Sequence, residues 1–330
     1  MTDLGNTLAG LLRSADEGLV CTSEHKIIFM SGKAKALVGD FTGRDDFTLF
    51  EPELMAVAPG EELSTRLNGH PVTVRADVYE GCRMYYIVSL LVPGKYIQLS
   101  PLEEAQVRAN LNDLRIASDN ALQGADNRAL RRSLESVKHN SSKIERTLVS
   151  NSLLGRLSQG DEPVKPVSLD MGCFLADVLD PVIGLAVGRG VSLEYSLGTN
   201  LCAVVDPELT AKLILELLCN LLMGIEDEGK IMVKALRRGD MVALYFDSSA
   251  TSDSDGLRLA SAIAIAQGGS LLSTTGPDTS HYCCTVPAGP ADSALGSEDN
   301  FGLSPSQIFS RVMIQLSPWL HSEDYDYRLF

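Results

Sequence analysis

Between Pro101 and Pro163 the chain contains no proline, and leucine, alanine, arginine, glutamate, asparagine and serine dominate the stretch. Proline removes a backbone donor and clashes with the preceding turn, so its absence over such a length permits long helices. Val107, Leu111, Leu114 and Ser118 recur at spacings of four and three, which marks one face of a helix. Gln123-Gly124-Ala125-Asp126 interrupts it, with Asp126 as the expected N-cap of a second helix. Leu130, Leu134, Val137, Ser141, Ile144 and Leu148 then continue the same heptad spacing. Two amphipathic helices joined by a short loop make a hairpin. Its apolar stripes are too broad for one hairpin to bury. A second copy is the expected partner, giving a homodimeric four-helix bundle through residues 101–159.

The flanks differ in kind. Residues 1–100 read as a small α/β unit: a short helix from Asn6 to Ser14, strands in GLVCT and HKIIFMS, and a helix in AKALVG closed by Gly39. Strand candidates TVRADVYE, RMYYIVSLLV and KYIQLS follow, and the alternation in VTVRADVYE fits a sheet with one covered face. Pro163 and Pro166 end the hairpin, and residues 163–290 return to mixed α/β. There a helix from Met171 ends at Gly190, and strands VSLEYSL and LCAVVD come next. Asp206-Pro207-Glu208 is a helix start, with Asp as N-cap and Pro at the first helical position. Strands KIMVKAL and MVALYFD, the helix DGLRLASAIAIAQ stopped by Gly268-Gly269, and the hairpin SLLSTT and HYCCTVP complete the unit. Residues 291–304 are a Ser/Gly/Asp-rich linker to an amphipathic tail carrying Ile308, Val312, Ile314, Leu316, Trp319 and Leu320.

The 330 residues are 45% hydrophobic and 22% charged, the composition of a globular protein of two or three domains. A formal net charge of -15 argues against direct nucleic-acid binding, which needs a basic face to displace counterions. No apolar run approaches the ~20 residues that span a bilayer, and the N-terminus lacks a basic start and a cleavage site. A cytoplasmic protein without a membrane span is expected. Cysteines 21, 82, 173, 202, 219, 283 and 284 show no metal-like spacing, and in Cys283-Cys284 at most one side chain can face a core.

In this order the elements resemble bacterial sensor histidine kinases. The resemblance covers about residues 10–290 and implies an α+β multidomain protein. It divides into a PAS-like sensor domain (1–100), a dimerisation hairpin (101–162), a histidine-kinase-type ATPase α/β sandwich (163–290) and a linker with a tail (291–330). In the family a long helix carries a motif resembling N-x-x-x-N-A, whose side chains one turn apart face the same pocket. Here it reads Glu216-Leu217-Leu218-Cys219-Asn220-Leu221. Asn220 matches the magnesium-binding asparagine. Glu216 replaces the first asparagine, as in gyrase-type ATPases, where a glutamate acts as base. A D-x-G-x-G motif resembles Asp247-Ser248-Ser249-Ala250-Thr251, with the adenine-reading aspartate kept and both glycines gone. Of the phosphate-cradling G-x-G-L-G-L, Gly256 remains. The lid has shrunk to Ser248–Asp255, and Asp253 and Asp255 put negative charge where a triphosphate would lie.

The phosphoacceptor motif resembles H-E-L-R-T-P-L, and the aligned residues are Asn112-Asp113-Leu114-Arg115-Ile116-Ala117-Ser118. An amide nitrogen has no usable lone pair, so Asn112 cannot replace the imidazole that attacks the γ-phosphate. Asn112 lies off the apolar seam and is expected to face solvent, as is His139 on the second helix. The resemblance therefore implies a pseudokinase: a dimeric scaffold or regulator of a two-component pathway, bound to a response regulator or another kinase. No resident cofactor is expected, and any ATP/Mg2+ would bind weakly at Asn220, Asp247 and Gly256. Two alternatives remain open at this level. One is an ATP-binding kinase or ATPase using Glu216 and Asn220. The other is an ATP-independent phosphotransfer or response-regulator phosphatase module using Asp113 and Asn112.

Overall fold

The computed structural model describes residues 17–50, 52–79, 81–90, 99–124, 127–225, 228–252, 254–290 and 305–325, and the chain is α+β. The first unit holds strands β1 (Glu17–Ser23) and β2 (Lys26–Met30) and helix α1 (Gly32–Val38). Helix α2 (Pro52–Met55) and strands β3 (Glu61–Leu67), β4 (His70–Tyr79) and β5 (Cys82–Ser89) complete it. Ser31 caps α1 by accepting from the Ala34 amide, and Gly39 stops it at φ 95°, a backbone angle that disfavours a side chain. The strands form an antiparallel sheet in the order β2-β1-β5-β4-β3. Val20, Phe50, Leu67, Val74, Tyr85 and Ile87 fill its core. The expected helix Asn6–Ser14 and most of the expected strand KYIQLS lie outside the described residues.

Helices α3 (Pro101–Gln123) and α4 (Arg128–Gln159) form the hairpin. Ser100 and Glu103 make a reciprocal capping box, and Pro101 sits where its missing amide needs no partner. Asn127 accepts the Ala129 amide and caps α4; Asp126, the expected cap, lies outside the described residues. Along α4, Leu130, Val137 and Ile144 are 49%, 39% and 50% exposed, so an apolar stripe at heptad spacing remains uncovered within one chain.

The second unit runs β6 (Val167–Asp170), α5 (Met171–Val187), β7 (Val191–Leu197), β8 (Cys202–Val205) and α6 (Pro207–Met223). It continues through β9 (Gly229–Arg238), β10 (Met241–Ser248), α7 (Arg258–Ala266), β11 (Ser270–Thr275) and β12 (Ser280–Pro287). Asp206 caps α6 through the Glu208 and Leu209 amides. The strands order as β11-β12-β10-β9-β7, parallel only between β7 and β9, while β6 and β8 pair separately. Val233, Leu244, Phe246, Cys284 and Val286 turn toward α5, α6 and α7 in one core. Cys284 is buried there and Cys283 is not, as strand alternation requires.

Sequence patterning overlooks two strands, the short β6 and β3. β3, EELSTRL, carries too many polar residues to read as a strand, yet it hydrogen-bonds antiparallel to β11. Leu63 opposes Leu272 and Ser64 opposes Leu271, and Leu272 packs against the core of the first unit. The two units thereby share one ten-stranded sheet.

The tail helix α8 (Pro305–Gln315) and the turn after it pack on the hairpin and on α5 and α6. Val312, Met313, Leu316, Leu320 and Tyr325 are fully buried. This corrects the placing of His139 in solvent. Its ring is 8% exposed, with Nε2 2.9 Å from the Ser317 carbonyl and Nδ1 3.3 Å from the Ser322 hydroxyl. The polar face of α4 that carries it is covered by a segment distant in sequence, which local spacing cannot reveal. Beside it the fully buried Lys138 ammonium donates to Asp119 and, at 2.9 Å, to the Tyr325 carbonyl.

Burial holds the His139 imidazole below its ordinary range, against the raising effect of the Ser317 carbonyl. A histidine with a depressed folded pKa is neutral in the fold. The stability it contributes is present above its ordinary pKa of ~6.5 and is lost as pH falls below that value. The melting temperature should therefore drop between about pH 7.5 and 5.5, and His139→Gln should flatten that dependence. An unchanged slope in the variant would exclude the histidine as its source.

Candidate functional site

Helix α6 places Glu216 and Asn220 one turn apart on a shared face, but their surroundings differ. The Asn220 side-chain oxygen accepts from the Tyr282 hydroxyl at 2.5 Å. Tyr282, 1% exposed, arises on the inner face of β12 and also bonds the Ser252 hydroxyl, which donates to Ser280 at 2.8 Å. Gly256 completes the contact: a Cβ there would stand 2.2 Å from Asn220 Nδ2, so only glycine permits this approach. Asn220 and Gly256 are thus brought together, with Tyr282, Ser252 and Ser280 packed beside them. None of those three was legible as a site residue, because each occurs in an ordinary strand or loop pattern. The side chains of Asp253 and Asp255 lie outside the described residues.

Glu216 faces the hairpin instead. It is 5% exposed and takes a salt bridge from Arg146 on α4, a hydrogen bond from Ser150 at 3.3 Å and the Lys212 ammonium at 3.9 Å. The Gln315 amide of α8, oriented to satisfy both neighbours, donates to Glu216 at 3.2 Å and accepts from Lys212 at 2.8 Å. Removing one member of a buried ion pair leaves an uncompensated charge, a loss of about 3–5 kcal/mol. Lys212 remains as a second partner, so Arg146→Met should lower the unfolding free energy by about 3 kcal/mol in urea titration. A loss below ~1 kcal/mol would place the pair in the solvent-screened class.

Asp247 does not join Asn220. Val242, Leu244 and Phe246 of β10 face the helices, so the intervening positions face the other side of the sheet. There Asp247 accepts from Lys234 at 3.2 Å and pairs with His281 at 2.9 Å. The alternation in MVALYFDS carries this signal, and the family motif masks it. Asn112 and Asp113 are exposed neighbours on α3, away from the α4-facing seam. Among the described residues no group of three or more His, Cys, Asp or Glu side chains could hold a metal, and no helix is long and apolar enough to cross a membrane.

No family model matches the chain, and no curated protein does. Solved structures do. Histidine kinase AdeS of Acinetobacter baumannii is 14% identical over 55% of this chain and 98% of its own, with a TM-score of 0.43. Histidine kinase ThkA, solved in complex with response regulator protein TrrA, is 13% identical over 85% of this chain and 98% of its own, at 0.40. A mycobacterial sensor histidine kinase, MprB, is 14% identical over 39% of this chain and 99% of its own, at 0.34. The likeness is one of fold. It carries no statement about activity.

Proposed function

We propose that the protein is a dimeric signalling scaffold on the sensor-histidine-kinase plan that no longer transfers phosphate from ATP. One observation carries this: the residues aligned with a nucleotide site are satisfied by one another and by the rest of the chain. Asn220 is engaged by Tyr282, Asp247 by Lys234 and His281 on the far face of the sheet, and Glu216 by Arg146. A magnesium ion would have to displace a buried hydroxyl from Asn220, and a base at residue 216 would have to break an ion pair. These residues as arranged do not fit ATP and magnesium. The asparagine at position 112 removes the usual acceptor as well.

The antiparallel sheet of the first unit, with helices between β2 and β3, supports a PAS-like sensor. The exposed Leu130/Val137/Ile144 stripe supports a homodimer through the hairpin, which would present its outer surface to a response regulator or another kinase. A second activity is compatible with the exposed Asn112-Asp113 pair, whose amide and carboxylate could position a water on a partner's aspartyl phosphate.

Calorimetric titration of the full chain with ATP and magnesium should give no heat of binding up to about 1 mM nucleotide, weaker than about -4 kcal/mol. Micromolar affinity would overturn the scaffold proposal. Accelerated loss of phosphate from a receiver domain, abolished by Asn112→Ala, would establish the phosphatase alternative.

A further inference from the structure

Between hairpin helix α4, the first half of α6 and tail helix α8 lies a cavity of about 220 Å³. Four helices supply five cations to its wall: Arg108, Arg146, Arg156, Lys212 and Arg311. The acids in the wall are already engaged. Glu145 pairs with Arg115 at 2.6 Å, Glu162 with Arg156 at 2.5 Å and Glu208 with Arg311 at 2.9 Å. Two of the cations, Arg146 and Lys212, share one carboxylate, Glu216, and Lys212 is otherwise held by neutral acceptors, the Ser150 hydroxyl at 3.1 Å and the Gln315 amide. The Lys212 side chain is 10% exposed and its nearest carboxylate oxygen is 3.9 Å away. The Nε donor of Arg146 is buried with no hydrogen-bond partner in the described structure.

A buried cation short of a close counter-ion is stabilised by any anion that reaches it, and guanidinium groups match planar or tetrahedral oxyanions with paired donors. At ~30 Å³ per water the space holds on the order of seven waters, enough for a compact ligand. It is also a different place from Asn220, which lies ~12 Å farther along α6 at 1.5 Å per residue.

We propose that this cavity binds a compact dianion, a phosphate or a short dicarboxylate, with Lys212 and Arg146 at its base and Arg311 at its mouth. Because the hairpin, α6 and the tail each contribute a cation, the occupied site ties the three together. Burial pushes the Lys212 ammonium down to about 8; Glu216 and Glu104 oppose the shift, and the neighbouring Arg146 and Arg108 add to it.

The test is titration calorimetry of the full chain in chloride buffer with inorganic phosphate and, separately, with succinate. At least one should bind with a Kd of about 1 mM or tighter and raise the melting temperature. Lys212→Met keeps the length of the side chain and removes the buried charge, so the fold is retained. It should weaken binding at least ~10-fold, a loss of ~1.4 kcal/mol. Arg311→Gln alters a residue 37% exposed at the mouth and should weaken binding by a smaller factor. Phosphate alone would assign a phosphoryl ligand, succinate alone a dicarboxylate, and both the shared chemistry. No heat from either anion at about 20 mM, or affinity unchanged in both variants, would overturn the site, whatever the outcome with ATP.

Discussion

Removal of residues 305–330 should lower the melting temperature by about 10 °C or more and expose apolar surface to dye binding. The tail inserts Val312, Met313, Leu316, Trp319, Leu320 and Tyr325 into the same core that α5 and α6 build. Trp319→Ala alone should destabilise by about 3–5 kcal/mol through the lost contacts and the cavity left behind. At 2–4 °C per kcal/mol for a chain of this size, that is ~10 °C. Deletion removes all six side chains, and the entropy regained by the freed segment offsets part of the loss. Polar groups are stranded too: the fully buried Lys138 loses its Tyr325 carbonyl, and Arg189 loses the Trp319 carbonyl and Asp324. A truncated chain with unchanged melting temperature and near-ultraviolet dichroism would mean that the tail is dispensable for the core.

The second large effect is expected at the hairpin. Val137→Glu combined with Ile144→Glu should convert a dimer to a monomer at micromolar concentration, read by light scattering on size-exclusion chromatography. Both side chains are half-exposed in a single chain and lie seven residues apart on α4. In a bundle they would meet the partner hairpin, where a carboxylate on each copy would be desolvated against its symmetry mate. Burial of two such charges per copy costs several kcal/mol, more than 100-fold in the dimer constant. The folded monomer should survive, because neither residue packs in the core of its own chain. A wild-type chain that is already monomeric, or a double variant that remains dimeric, would remove the bundle from the proposal.

The two experiments concern features read differently from the chain. The hairpin was legible because its signals are local: a proline-free run, apolar spacing of three and four, and a loop at Gly124. The Asp206-Pro207 start of α6 and the stop at Gly39 were legible for the same reason, since caps depend on nearest neighbours along the chain. Even the face of Asp247 was present in the alternation of β10, although a family motif pointed elsewhere. The site residues divide likewise. Glu216 and Asn220 share a helix face by spacing alone, but what each one touches depends on other elements.

The amino-acid order by itself determined most of the helices and strands, β3 and β6 apart, and the apolar side of most of them, because those properties repeat with the period of the backbone. Only the tertiary structure decided that β3 joins β11 into one sheet, that the tail buries His139, and that Arg146 neutralises Glu216. Each of these joins residues far apart in sequence, where the outcome depends on packing and charge compensation between whole elements and leaves no local pattern to read.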